Sequence, residues 1–188
     1  MLACSGDDDS AEPSEDRTTT PPTTAATTGE AARPTEVQQE IEDLLHEYDE
    51  ITSEITADAA VAADRDHPLY DQLRNLMQSD SDMTDAVVEA LVSRGRRGIS
   101  QRPYEEGELP VRRELDGTVE AVSDTEVTFP ICTHLSYRLY DGQDRQTTVL
   151  PGLVEPGNGT AVLVEGEWRI SRFENVEDDD AACAEASP

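Results

Sequence analysis

The apolar residues change their spacing once along the chain, from a helical repeat before residue 99 to a two-residue repeat after it. Before the change, large apolar side chains recur at steps of one, three or four and would share one face of a long helix. They are Val37, Ile41, Leu44, Leu45, Tyr48, Ile51 and Ile55. After the change, apolar and polar side chains alternate, which is typical of strands with one buried face. The sequence therefore predicts an α+β fold of helices packed on a curved antiparallel sheet.

Three helices are predicted in the first part. The first covers about residues 35–62 and opens on Pro34, with Glu36 near its positive end. The turn at 66–68 can cap a second helix over 69–77.

Asp82 or Thr84 can cap the third helix, and Gly95 and Gly98 would end it.

Strands and turns follow the helices. The longest predicted strand contains Pro130, near which a bend is possible. Asp141-Gly142 is typical of a hairpin turn. The predicted strands are 118–123, 127–140, 146–150, 161–164 and 168–173, with a loop at 151–159.

The segment 5–35 has no Val, Ile, Leu, Met, Phe, Tyr or Trp, so it cannot bury enough apolar surface to offset chain entropy. We predict a disordered Thr/Pro-rich linker there, a folded domain at 36–177 and an acidic tail at 178–188. The net charge is −28, and all 14 basic residues are arginine. The linker carries seven acids and two arginines and the tail four acids, which leaves −19 for the folded part.

This charge excludes broad classes of function. Such a negative surface repels phosphates, so no nucleic acid partner is expected. No stretch approaches the roughly 20 apolar residues that a spanning helix needs.

The order of the elements resembles the nuclear-transport-factor-like superfamily, the cone-shaped α+β fold of ketosteroid isomerase and the SnoaL-like cyclases. The resemblance rests on the amphipathic first helix, on Asp66-His67-Pro68-Leu69, on Arg94-Gly95 and on the last-strand sequence Glu165-Gly166-Glu167-Trp168-Arg169-Ile170. More narrowly, the chain looks like actinobacterial secreted lipoproteins built from a lipid-bearing cysteine, a Thr/Pro-rich linker and one such domain. That narrower resemblance carries no catalytic residues over.

The start of the chain resembles the end of a bacterial lipoprotein signal, in which a small residue precedes the lipidated cysteine. Ala3-Cys4-Ser5-Gly6 fits that pattern, and 1–4 would be the remnant of the signal. The charged and apolar regions that should precede Cys4 are absent, so we expect either a trimmed chain or a start upstream of Met1. Lipid on Cys4 would anchor the protein outside the cytoplasm on the cell membrane; as written, without an export signal, the chain would stay soluble.

If Cys4 carries lipid, Cys132 and Cys183 remain as a pair, which favours a disulfide in an oxidising compartment. The loop that it closes holds about 50 residues and is worth about 4 kcal/mol in chain-entropy models. The alternative is two free thiols.

Candidates for chemistry are few. His46 should face solvent, His67 should act as a cap, and His134 falls on the polar face of its strand. Tyr137 and Thr133 fall on the inward face, where a core role is the simpler interpretation. No inward carboxylate completes a general base, so the prediction is no enzyme.

Metal and cofactor motifs are missing from the sequence. There is no paired-histidine or Cys-x-x-Cys spacing. The acidic runs 7–9 and 178–180 read as solvated charge. We therefore predict neither a cofactor nor a metal.

Six arginines lie within twenty residues at the junction of helices and sheet. This basic island could contact an anionic partner, or it could pair internally with the abundant acids. Its members are Arg94, Arg96, Arg97, Arg102, Arg112 and Arg113.

The sequence thus favours a cell-envelope lipoprotein whose non-catalytic domain binds a protein partner or a small ligand. The alternative is a small cone-fold enzyme or a pocket-type carrier. An enclosed cavity with an inward Asp, Glu or His would favour the alternative, and a cavity filled by Phe129, Tyr137 and Trp168 would favour the first. A dimer is possible, and nothing in the sequence decides it.

Overall fold

The computed structural model describes residues 34–79, 81–176 and 183. In this part of the chain helices come first and a six-stranded antiparallel sheet follows, which confirms the predicted α+β class. The helices are α1 (Pro34–Ala57), α2 (Ala59–Ala63), α3 (Pro68–Leu76) and α4 (Asp82–Arg96). The strands are β1 (Ser100–Pro103), β2 (Val111–Leu115), β3 (Glu120–Ser123), β4 (Glu126–Tyr140), β5 (Gln146–Val164) and β6 (Glu167–Asn175).

The first helix buries the predicted apolar stripe, but it ends earlier than the sequence suggested. Asp58 has an extended backbone, with φ −124° and ψ 119°, and its side chain accepts a hydrogen bond of 2.8 Å from the backbone N–H of Ala60. The single helix over 35–62 is therefore wrong, because Asp58 interrupts it and caps the short α2.

The later helices also use caps that only partly match the prediction. The His67 Nδ1 accepts from the Leu69 N–H at 3.4 Å, so this histidine is a cap, as expected. The cap of α4 is Ser81, whose Oγ accepts from the Thr84 N–H at 3.1 Å. Asp82 and Thr84 are therefore inside the helix, because Ser81 stands at the position from which a hydroxyl reaches the third N–H.

Gly95 does not end α4 but lies within it and packs against α2. A Cβ at Gly95 would approach the backbone nitrogen of Ala63 to 2.3 Å, so only glycine permits this contact. Gly98, with φ 71°, follows the helix and ends it as predicted.

The sheet is built on the long hairpin of β4 and β5. β1, β2 and β3 pair one after another along the free edge of β4, and β6 pairs with the second half of β5. The register of β4 and β5 continues through Pro130 without a shift, and the irregularities fall at Leu135–Ser136 and Leu139–Tyr140. The sequence predicted the final hairpin but not β1 and β2, which are only four and five residues long.

The predicted loop at 151–159 is wrong, because these residues belong to β5, and all of them except Gly152 pair with β4. Pro151 and Pro156 are tolerated because this half of β5 pairs with β4 alone, since β6 reaches only to Gly157. Gly159 is needed for packing, since a Cβ there would lie 2.1 Å from the Phe129 ring.

The hydrophobic core lies between the helices and one end of the sheet. Its largest fully buried apolar side chains are Ile41, Leu45, Ile55, Tyr70, Leu73, Met77, Val88, Val92, Phe129 and Ile170. In the other half of the β4–β5 hairpin the side chains are half-buried or exposed. Within the described part of the chain, no helix has the length and apolar character needed to cross a membrane.

Candidate functional site

A cavity of about 180 Å³ lies between α1, α4 and the strands β1 and β2. Its apolar lining residues are Val87, Leu91, Pro110 and Val111. Its polar and aromatic lining residues are Tyr48, Thr52, Ser53, Thr56, Arg94, Gln101 and Arg113. A small molecule with one apolar end and one polar end matches such a lining.

Arg94 supplies the positive charge of this cavity. It lies in the last turn of α4, where the helix dipole favours a cation, and it is half-buried. Its Nη1 donates to the Oε1 of the buried Gln101 at 2.6 Å. Over residues 34–79, 81–176 and 183, no carboxylate forms an ion pair with Arg94, although acids outnumber bases three to one in the chain.

Arg113 lies at the same cavity but is neutralised by Asp49. The carboxylate of Asp49 is 1% exposed, and it accepts from both the Nη1 and the backbone N–H of Arg113. The guanidinium also lies over the rings of Tyr48 and Phe173, at 5.1 and 4.8 Å from their centroids. This arrangement fixes β2 against α1 and leaves Arg113 little freedom to meet a ligand.

Burial raises the pKa of the Asp49 carboxyl above its ordinary value, and Arg113 acts against that rise. Burial also raises the pKa of the Tyr48 hydroxyl, so this phenol keeps its proton and can donate. Both oxygens of Asp49 are already engaged by Arg113, which leaves this carboxylate poorly placed to take a proton from a bound molecule.

The hydroxyl groups of α1 differ in their hydrogen bonding. Thr52 and Thr56 donate to carbonyl groups one turn earlier, each at 2.9 Å. The Oγ of Ser53 is buried and has no hydrogen-bond partner among the described residues. A buried hydroxyl without a partner is costly, and a ligand oxygen in the cavity could satisfy it.

The three histidines lie away from this cavity. His46 contacts Glu50 at 3.3 Å on the exposed face of α1, and His67 caps α3. His134 contacts Glu114 at 3.1 Å, and it lines a surface groove together with His46.

The six arginines of the predicted basic island do not form one patch. Arg94 and Arg113 reach the cavity. Arg102 pairs with Asp144 at 2.6 Å, and Arg112 with Glu114 at 3.3 Å. The remaining two, Arg96 and Arg97, are exposed at the end of α4.

The three aromatic residues expected to decide the cavity have separate positions. Phe129 is buried against Gly159, and Trp168 donates to Glu40 at 3.0 Å on the far side of α1. Tyr137 is half-buried and pairs with Leu150 in β5. Thr133 is half-buried opposite Arg113 in β2. None of the four lines the cavity.

Sequence reasoning missed Asp49 and Gln101. Asp49 follows Ile41 and Leu45 at steps of four, and this spacing could have revealed a carboxylate on the buried face of α1. Gln101 gave no comparable signal, because β1 is too short to show alternation.

The structure joins Cys132 and Cys183 by a disulfide, with their Cα atoms 5.8 Å apart. A disulfide indicates an oxidising environment. Cys4, the linker and the acidic runs at 7–9 and 178–180 lie outside the described residues.

Comparison with known proteins supports the fold. No protein-family model and no curated protein matches the chain. Among solved structures, the intermembrane space region of chloroplast protein ARC6 is similar at 12% identity and a TM-score of 0.52, over 75% of this chain and 97% of that one. The "Putative Scytalone Dehydratase" of Novosphingobium aromaticivorans matches at 18% identity and a TM-score of 0.45, over 75% of this chain and 83% of the other. A "putative polyketide cyclase" from Xanthomonas campestris matches at 15% identity and 0.37, over 75% and 92%. At these identities the likeness concerns the fold alone.

Proposed function

We propose that this protein is a lipid-anchored binding protein of the cell envelope, and that its cone-like domain binds a small carboxylate ligand without transforming it. The observation that carries the ligand class is the half-buried Arg94, which lines the cavity without an acidic partner among the described residues. A carboxylate would accept from its guanidinium while the apolar end of the ligand contacts Val87 and Leu91.

The non-catalytic part of the proposal rests on which groups line the cavity. Among the described residues around it, there is no carboxylate and no imidazole. The nearby Asp49 is engaged by Arg113. A ligand in the cavity would therefore meet several hydrogen-bond donors but no free general base.

The anchor rests on the sequence around Cys4 and on the linker that follows it. The disulfide is consistent with this location, because it indicates an oxidising compartment. Mass spectrometry of the peptide that contains Cys4, from protein isolated from its native membrane, should show a diacylglyceryl group. An unmodified Cys4 thiol would contradict the lipid-anchor part of the proposal, but it would not bear on the proposed ligand site.

The ligand class is tested with benzoate and its neutral analogue benzamide, by isothermal titration of the full chain. Benzoate should bind and benzamide should bind at least about tenfold more weakly, since a charged hydrogen bond contributes about 1.5–3 kcal/mol. Arg94→Gln should remove this preference. Arg96→Gln changes the neighbouring exposed arginine and should keep it. Equal binding of the two probes by the wild type, or a preference that survives Arg94→Gln, would contradict the proposal.

A further inference from the structure

A second cluster of chemically active groups lies away from the cavity, beside the disulfide. Ligand atoms of Asp116, Cys132 and Cys183 all lie within 4.8 Å of one another. The sequence spacing gives no hint of this cluster, since its members are far apart in the chain. The pairing of β2 with β4 brings Asp116 near Cys132, and the disulfide brings Cys183 there.

Two members of the cluster are held by the sheet. Cys132 is in β4 and is 5% exposed, and it lies opposite Glu114 in β2 and Pro156 in β5. Asp116 follows β2 directly, and its backbone N–H donates to the Pro130 carbonyl at 3.0 Å. The next residue, Gly117, has φ 145° and lies so close to the Pro130 ring that a Cβ would approach it to 3.1 Å. Asp116 is thus fixed beside Cys132 by backbone contacts that do not depend on the disulfide.

Two thiolates and one carboxylate are a donor set that suits one thiophilic cation. Zn²⁺ binds thiolate sulfur at about 2.3 Å and carboxylate oxygen at about 2.0 Å, so tetrahedral ligand atoms lie roughly 3.3–3.8 Å apart. Two of the three atoms are the bonded sulfurs of the disulfide, and a carboxylate oxygen of Asp116 lies within 4.8 Å of both. After reduction, rotation of the cysteine side chains has to move the two sulfurs apart to that ligand spacing. Two sulfurs and one oxygen leave the fourth position for water.

The geometry points to a redox-gated zinc site, in which reduction of the Cys132–Cys183 disulfide lets both thiolates and Asp116 bind one Zn²⁺. A dithiol reductant supplies two electrons and becomes a disulfide itself, while Cys132 and Cys183 take up two protons and become thiols. Binding of Zn²⁺ then releases these two protons to solvent, as two zinc–sulfur bonds form. The metal would hold Cys183 where the disulfide holds it in the oxidised protein, and the negative protein surface would favour approach of the cation.

The test uses the full chain with Cys4→Ser, so that only the paired cysteines can react. The protein is reduced without oxygen by a phosphine and titrated with Co²⁺, whose bonds to thiolates give charge-transfer absorption, and then with Zn²⁺ in competition. The reduced protein should bind one equivalent of metal with that absorption, and the oxidised protein should not. Asp116→Asn should weaken binding at least about tenfold, as loss of a ligand requires. Asp124→Asn, an exposed acid in the turn before β4, should leave it unchanged.

A second measurement covers the case in which the reduced protein unfolds without metal. Zn²⁺ is then added before the reductant, and the alkylation rate of both thiols by iodoacetamide is followed. Zn²⁺ should protect Cys132 and Cys183 together in the parent protein, and less so in Asp116→Asn. Absence of thiolate absorption together with absence of protection would overturn the proposal, and so would equal behaviour of Asp116→Asn and the parent.

Discussion

At the scale of single residues, the buried pair of Asp49 and Arg113 sets the electrostatics of the domain interior. Asp49 is the one carboxylate among the described residues that is almost completely buried, at 1% exposure, and its charge is balanced by Arg113. Arg94 is then left as the cation that a ligand can meet at the cavity. The two arginines therefore differ at this cavity: Arg113 is compensated by Asp49, and Arg94 has no acidic partner among the described residues.

Replacement of Arg113 by Met should destabilise the protein in a pH-dependent way. The loss should be about 3–5 kcal/mol at neutral pH, because a buried charge is left without its partner. Burial already raises the pKa of the Asp49 carboxyl, and removal of Arg113 removes the interaction that opposes the rise. A raised folded pKa means that stability is present below the ordinary carboxyl pKa of 3.8 and is lost as the pH rises through the folded value. Denaturant unfolding of Arg113→Met at acidic and neutral pH measures this slope.

The control for that prediction is the double variant Arg113→Met, Asp49→Asn. It has no buried charge at this position, so the additional loss of stability toward neutral pH should disappear. If the single and double variants showed the same pH dependence, Asp49 would not be the titrating group.

The pair also shows where sequence reasoning at this scale stops. The apolar stripe of α1 predicted which residues are buried, and Asp49 lies on the same face four residues after Leu45. Its partner could not be predicted, because Arg113 is 64 residues away and belongs to a strand too short to be recognised. The sequence therefore places Arg113 in one group with the neighbouring arginines, and only strand pairing gives these arginines different partners.

At the scale of elements, the apolar face of α1 and the long strand β4 could be predicted because each repeats its pattern over many residues. The middle of β5 could not, since two prolines and several glycines at 151–159 are typical of a loop. These residues form a strand because β4 offers a partner along 15 residues and β6 leaves one edge of β5 open there. Long-range pairing therefore overrides the local preference.

Gly159→Ala tests whether that glycine is required for packing. The added Cβ would lie 2.1 Å from Phe129, in the fully packed part of the core, so we expect a loss of about 1–3 kcal/mol in the free energy of unfolding. The matched change Gly142→Ala meets nothing nearer than 3.8 Å and should shift stability by less than about 0.5 kcal/mol. Denaturant unfolding of both variants measures the two stability losses. Equal losses would show that the close contact of Gly159 with Phe129 does not require glycine.

At the scale of the whole molecule, the acidity opposes the proposed ligand. A net charge of −28 repels a carboxylate at long range, while Arg94 attracts it at short range. Salt screens the long-range repulsion more than the contact inside the cavity. A carboxylate would therefore bind at the proposed site only if its short-range contact with Arg94 outweighs the repulsion by the acidic surface.

The same charge should make the stability of the folded protein rise with salt. Repulsion between the many acidic side chains raises the free energy of the folded state. At about 1 M salt the Debye length falls to about 3 Å, so most of this repulsion is screened. Thermal unfolding should therefore occur at a higher temperature in concentrated than in dilute sodium chloride. The double variant Glu47→Gln, Glu54→Gln removes two exposed charges of α1 and should unfold at a higher temperature in dilute salt, with a smaller response to added salt. A response equal to that of the parent protein would mean that salt acts through hydration rather than through these charges.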